Sequence, residues 1–126
     1  MIQGTGFDLA ALPRIRTLLE RHGERFLARV LTERERAALP ATEAGRTAYV
    51  AGRFAAKEAA VKALGTGFAE GIGMHDVEIL SHVSGRPQLF LHGAAATRAE
   101  GMGVRAVHVS ISHERDVAGA VVILES

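Results

Sequence analysis

One run limits what this chain can become: Gly52-Arg53-Phe54-Ala55-Ala56-Lys57-Glu58-Ala59-Ala60-Val61-Lys62-Ala63-Leu64-Gly65-Thr66-Gly67. It reads as the second half of a helix running from Thr42 to Leu64 and ended by a glycine pair. At about 100° per residue, Val50, Phe54 and Val61 share one stripe with Leu64 beside it. Glu58 falls about 40° from Phe54, at the edge of that stripe, and Lys62 follows one turn later. A carboxylate at the border of an apolar face is partly desolvated, which sharpens its attraction for a cation. Gly65 and Gly67 let the backbone turn sharply and offer N–H groups to an anion. The turn is therefore either a carboxylate, an ammonium and a phosphate-sized pocket brought together, or a surface Glu–Lys pair with a glycine cap. The second is worth only a few tenths of a kcal/mol. Lys57 lies on the apolar side of the same wheel, so either its stem snorkels or its ammonium meets a negative group.

The flanks read in order. Met1 to Asp8 is a short strand closed by Gly4 and Gly6, delivering Asp8 at its end. Asp8 is one of only three Asp in the chain, and it suits either a site or a helix N-cap. Pro13 suits the first turn of a helix continuing from Arg14 to His22 and ended by Gly23; a second helical piece covers Glu24 to Leu31. Residues 14–36 carry seven Arg against four Glu. Arg14, Arg21, Arg25 and Arg29 form one basic ridge if the two pieces stack in line. That ridge is either a dock for an acidic protein or a solvated face on which Glu20 and Glu24 pair locally. Thr32 and Glu35 make a capping box for a helix that Pro40 stops.

Beyond the central helix, on which Arg46 and Arg53 form a second basic line, the chain turns to strands. Val77 to Leu80 and Gln88 to Leu91 flank the turn Ser84-Gly85-Arg86-Pro87 as a hairpin. Gly93 to Glu100 is an Ala-rich helix. Val104 to His113 alternates, with Val107, Val109 and Ile111 on one face and His108, Ser110 and Ser112 on the other. Val117 to Leu124 is a final, central strand. The fold class is α+β: an antiparallel sheet packed against the long helix, in a single domain over residues 1–126.

Several chemistries drop out. Net charge of +1 argues against a general nucleic-acid or membrane-surface binder, and few aromatics argue against stacking on bases. The absence of Cys removes disulfides, thiolate metal sites and a Cys nucleophile, and fits a reducing cytoplasm. No apolar run reaches membrane length and no signal peptide precedes Ile2. Gly101-x-Gly103-x-x-Ala106 leads into a strand, so it is not a dinucleotide fingerprint. No His pair has zinc spacing. Ser110 and Ser112 lack the elbow that a nucleophile needs. His113, at a strand end, is either a phosphate contact or a surface residue.

Three blocks, spread nearly end to end, carry a resemblance. They are Gly4-Thr5-Gly6-Phe7-Asp8-Leu9 with Arg14-Ile15, then Gly52 to Ala59 with Lys62 and Gly65-Thr66-Gly67, then His108-Val109-Ser110-Ile111-Ser112-His113. Together they resemble the holo-[acyl-carrier-protein] synthase family, the short bacterial type of 4′-phosphopantetheinyl transferase. The resemblance implies that family's fold as a single module and transfer of phosphopantetheine from coenzyme A to a serine of apo acyl carrier protein. It implies release of 3′,5′-ADP, a place in fatty acid biosynthesis, and a homotrimer with shared sites. Position by position, it implies Asp8 and Glu58 as Mg²⁺ ligands and Lys62 as a phosphate partner, these three being the catalytic set. Gly65, Thr66 and Gly67 would line the phosphates, Arg46, Arg53 and His113 would contact the 3′-phosphate, and Arg86 and Pro87 would lie near the adenine. Arg14, Arg21, Arg25 and Arg29 would receive the acidic carrier. The acid that the family often places shortly after the Asp is missing here, since Ala10-Ala11-Leu12-Pro13 supplies none. A rival reading keeps the fold as a non-catalytic carrier-binding subunit; the presence of Asp8, Glu58 and Lys62 together argues against it.

Overall fold

In the computed structural model, which describes residues 1–126, helix α4 (Glu43–Leu64) forms the axis around which the other elements pack. Strands β1 (Ile2–Ala11), β4 (Ala106–His113) and β5 (Val117–Glu125) form an antiparallel sheet in the order β1-β5-β4. Strands β2 (Val77–Ser81) and β3 (Pro87–Leu91) make a separate hairpin. Helices α1 (Leu12–His22), α2 (Glu24–Val30), α3 (Glu33–Ala37) and α5 (Gly93–Gly101) cover the remaining sides of α4. The α+β plan, the antiparallel pairing and the central place of β5 are as expected.

Two local expectations change. The apolar stripe on α4 widens until most of the helix is buried, including Val50, Ala51, Ala55, Ala56, Ala59, Ala60, Val61, Ala63 and Leu64. Alanine is small enough for the sheet, the hairpin and α1 to approach α4 from different directions, so the large residues alone understate its buried surface. Likewise β1 does not close at its glycines or end at Asp8. Its register with β5 runs on through Asp8↔Ala120 to Ala11↔Val117, and α1 then starts with Pro13 in its first turn. Gly4 and Gly6 serve packing instead. A Cβ on Gly6 would overlap the Ala59 carbonyl oxygen, and one on Gly4 would overlap that of Ala63. Bare glycine lets the strand backbone lie directly against the helix backbone.

Lys57 resolves its odd position with a buried partner. Its Nζ donates to Glu35 Oε1 at 2.8 Å and to the Met74 and Val77 carbonyls at 2.8 and 2.5 Å, with both side chains wholly inaccessible. Burial pulls the Lys57 pKa down, and the Glu35 charge opposes that shift. Glu35 also accepts from Thr32 N at 2.8 Å within the observed capping box and from Ile79 N at 2.9 Å. One carboxylate therefore ties α3, α4 and β2 together. The partner was hidden in the sequence because it lies twenty-two positions away and already has a local job as a capping residue.

Gly6→Ala should destabilise the protein by about 3 kcal/mol or more, since the clash is with backbone that cannot swing aside. Gly101→Ala, where a Cβ meets open space, should change little. Urea unfolding of the two variants beside the parent checks the contrast; equal midpoints would refute the close-packing account.

Candidate metal and phosphate site

Alternation along β1 turns Gly4, Gly6, Asp8 and Ala10 toward α4, and the glycine contacts bring the Glu58–Lys62 turn alongside Asp8. Lys62 Nζ donates to Asp8 Oδ1 at 2.8 Å and to the Phe7 carbonyl at 3.1 Å. Asp8 is no N-cap: that position falls to Ala11, without a side-chain bond. Glu58 sits half-buried on the adjoining turn of α4. Burial raises its pKa first, the Asp8 charge raises it further, and Lys62 and Arg14 pull it back. The two acids are thus electrostatic neighbours, with Lys62 and Arg14 opposing their repulsion.

That is a donor set a hard divalent cation suits. Mg²⁺ is usually held by one or two carboxylates, with phosphate oxygens and water completing its octahedron. No group of three or more His, Asp or Glu converges anywhere in the chain, so a closed all-protein cage is absent. Asp8 and Glu58 fit an open site in which a phosphate would supply further oxygens.

The glycine turn differs in detail from the expectation. Gly65 takes the left-handed conformation at φ 77° and caps α4. Its N–H donates to the Lys62 carbonyl, and those of Thr66 and Gly67 both reach the Val61 carbonyl at 3.2 Å. The amides expected to face an anion are committed to closing the helix. The remaining Leu64 carbonyl accepts from Arg98 Nε at 3.0 Å. Arg98 escaped the sequence reading because nothing local links α5 to the end of α4.

Other expected residues form a second group. Arg53 is buried, stacks 4.1 Å from the Tyr49 ring centre and donates to Ser81 Oγ at 3.3 Å. Ser81 pairs with Pro87, which places Arg53 at the hairpin end that carries Arg86. Arg53 Nε is buried without a partner. Arg46 lies apart, in a groove of about 480 Å³ with Arg16, Glu20 and Glu43. Twelve residues along α4 separate it from Glu58, about 18 Å. His113 is exposed at the end of β4 opposite Ala118. One strand, β5, lies between it and β1, so two strand spacings, about 10 Å, separate it from the line of Asp8. A single chain therefore does not bring His113 to the Asp8–Glu58 pair.

The four ridge arginines, Arg14, Arg21, Arg25 and Arg29, are all exposed, and none joins an ion pair. Glu24 pairs with Arg36 instead of with the four arginines, which lie on a solvated face. On the sheet side facing away from α4, Phe7 and Leu9 are 60% and 58% exposed, beside the partly exposed Val117 and Val121.

Comparison with known proteins follows the same lines. The family profile described as 4′-phosphopantetheinyl transferase superfamily matches residues 4–121. A holo-[acyl-carrier-protein] synthase from Solidesulfovibrio magneticus is 60% identical over 125 residues, covering 99% of each chain. The crystal structure of a Neisseria meningitidis holo-[acyl-carrier-protein] synthase superposes with a TM-score of 0.90 at 36% identity, covering 100% of both chains. That of a Bacillus anthracis relative in complex with CoA (3′,5′-ADP) gives 0.83 at 38% identity, covering 100% of this chain and 98% of that one.

The raised Glu58 pKa has a definite sign in stability. The folded state holds this proton more tightly than the unfolded chain, so the contribution is fully present below the ordinary glutamate pKa. It is lost as pH rises through the elevated one. Carboxyl-carbon NMR titration of Glu58 in the metal-free protein should give a pKa above the ordinary value, and Asp8→Asn should lower it. A Glu58 pKa unmoved by Asp8→Asn would separate the two carboxylates.

Proposed function

The chain belongs to the holo-[acyl-carrier-protein] synthases of the 4′-phosphopantetheinyl transferase superfamily, and we propose that it transfers 4′-phosphopantetheine from coenzyme A to a serine of an apo acyl carrier protein. The observation that carries this reading is the meeting of Asp8 from β1 with the Glu58–Lys62 turn of α4. In the reaction the serine oxygen bonds to the β-phosphorus, the bridge to the α-phosphate breaks, and 3′,5′-ADP leaves with the bridging oxygen.

Asp8 and Glu58 would hold Mg²⁺, which when bound supplies positive charge to the pyrophosphate under attack and to its leaving group. Lys62, bonded to Asp8, would neutralise a phosphate oxygen. Glu58 would steer a water that takes the serine proton, or accept that water's proton, since a carboxylate tied to a metal is itself a poor base. Arg53, Arg86 and Pro87 would take the nucleotide end of coenzyme A, with Arg46 as an outlying contact and the Gly65, Thr66 and Gly67 turn beside the phosphates. The unpaired Arg14, Arg21, Arg25 and Arg29 would receive an acidic carrier, raising its encounter rate more than its final affinity.

His113, two strand spacings from the line of Asp8 in its own chain, would reach the 3′-phosphate of coenzyme A held by a neighbouring chain. The exposed Phe7, Leu9, Val117 and Val121 offer a surface for that neighbour. A C3 homotrimer with three shared sites satisfies both, each module spanning residues 1–126. The lack of Cys, and of any helix long and apolar enough to cross a membrane, is compatible with work in the cytoplasm on the carrier of fatty acid biosynthesis.

Incubation with coenzyme A, Mg²⁺ and apo carrier should raise the carrier's mass by one phosphopantetheine. No gain would refute the transfer. Glu58→Gln should slow turnover about 100-fold while coenzyme A binding stays near that of the parent. Parental turnover by that variant at saturating Mg²⁺ would remove Glu58 from its role. Sedimentation should give three times the 13.4 kDa chain mass, and Phe7→Glu should shift it toward monomer with loss of activity. A parent that sediments as an active monomer would refute the shared site.

A further inference from the structure

The carboxyl end of α4 poses an electrostatic problem for a phosphate beside it. The last carbonyls of a helix carry the negative pole of its dipole and repel an anion. The Gly65, Thr66 and Gly67 amides, which could have offset that, are spent on the Val61 and Lys62 carbonyls. The Lys62 ammonium is held on the β1 side by Asp8 and the Phe7 carbonyl.

Besides Lys62, one further cation reaches this end of the helix. Arg98 reaches from α5 and donates Nε to the Leu64 carbonyl at 3.0 Å. Its Nη2 lies 3.6 Å from where a Cβ on Gly65 would stand. No carboxylate pairs with Arg98, and its terminal nitrogens make no hydrogen bond within the chain. The guanidinium is therefore fixed by one edge while its outer N–H groups remain free over the open α-carbon of Gly65. A phosphate oxygen is the acceptor that such a planar, anchored fork recognises best.

We propose that Arg98 binds a phosphate oxygen of coenzyme A at the Gly65 turn while its Nε closes the end of α4. The inference rests on the coenzyme A reading above and adds a residue to it. Gly65 acquires a second purpose: besides adopting positive φ, it leaves the guanidinium edge uncovered. Arginine is required for the double task, because a lysine ammonium lacks the separate Nε that caps the carbonyl while another nitrogen meets the ligand.

Calorimetric titration of the intact protein with coenzyme A in Mg²⁺ tests this, using the parent, Arg98→Met and Arg98→Lys. Arg98→Met should weaken coenzyme A about tenfold and flatten the salt dependence of its Kd. Arg98→Lys should recover only part of the loss. In the transfer assay the Met variant should raise KM for coenzyme A while kcat at saturation stays near the parent's. If the parent binds coenzyme A and both variants bind it equally well, whatever their melting temperatures, Arg98 is a helix cap only and the proposal fails. If the parent itself does not bind coenzyme A, the underlying reading fails with it.

Discussion

The approach of α4 to β1 governs everything built on this chain. Where Gly6 faces the Ala59 carbonyl and Gly4 that of Ala63, no side chain separates strand from helix. Hydrophobic burial alone would tolerate a looser contact filled by larger residues. A looser contact would carry Asp8 away from the turn bearing Glu58 and Lys62, and the site depends on short reach: an ion pair at 2.8 Å and the mutual field of two carboxylates. Alanine on the helix and glycine on the strand are a geometric requirement before they are a stabilising one.

A second device sets α4 against the hairpin side. The Lys57–Glu35 pair lies where both charges are cut off from water, and a buried pair of this kind seldom adds net stability over apolar packing. Its value is direction. Three acceptors fix one ammonium, and Glu35 in turn fixes the backbone at Thr32 and Ile79, so β2 can enter in only one register. Nearby Glu78 extends the pattern. Burial opposes its ionisation, yet hydrogen bonds from Arg34, Thr32 and His92 outweigh that and bring its carboxyl down to about 2. The hairpin thus holds Ser81 against Arg53 as part of an oriented framework.

Charge is divided between the framework of the fold and its surface. Cations with acidic partners, such as Lys57 and Arg34, organise the fold. Those without acidic partners, Arg14, Arg21, Arg25, Arg29 and Arg98, are exposed, the last beside the glycine turn. Net charge alone hides this, because +1 is the sum of internal compensation and local surplus.

Much of this was legible in the residues. The capping box at Thr32, Pro13 in the first turn of α1, the Gly65 cap and the alternation of β4 are local rules, and each holds in the structure. The order of α and β segments with β5 at the centre followed from pattern and turn chemistry in the same way. The i,i+4 spacing of Glu58 and Lys62 marked a turn with chemical potential but left open what it faced. Tertiary structure decided the rest, because the deciding contacts join residues far apart in the chain: Asp8 with Lys62, Lys57 with Glu35, and Leu64 with Arg98. It also reassigned the glycine-turn amides to the helix end, since a buried or half-buried carbonyl takes whichever donor is nearest. Local sequence determines which groups a segment carries and how it turns; only packing determines which of them meet.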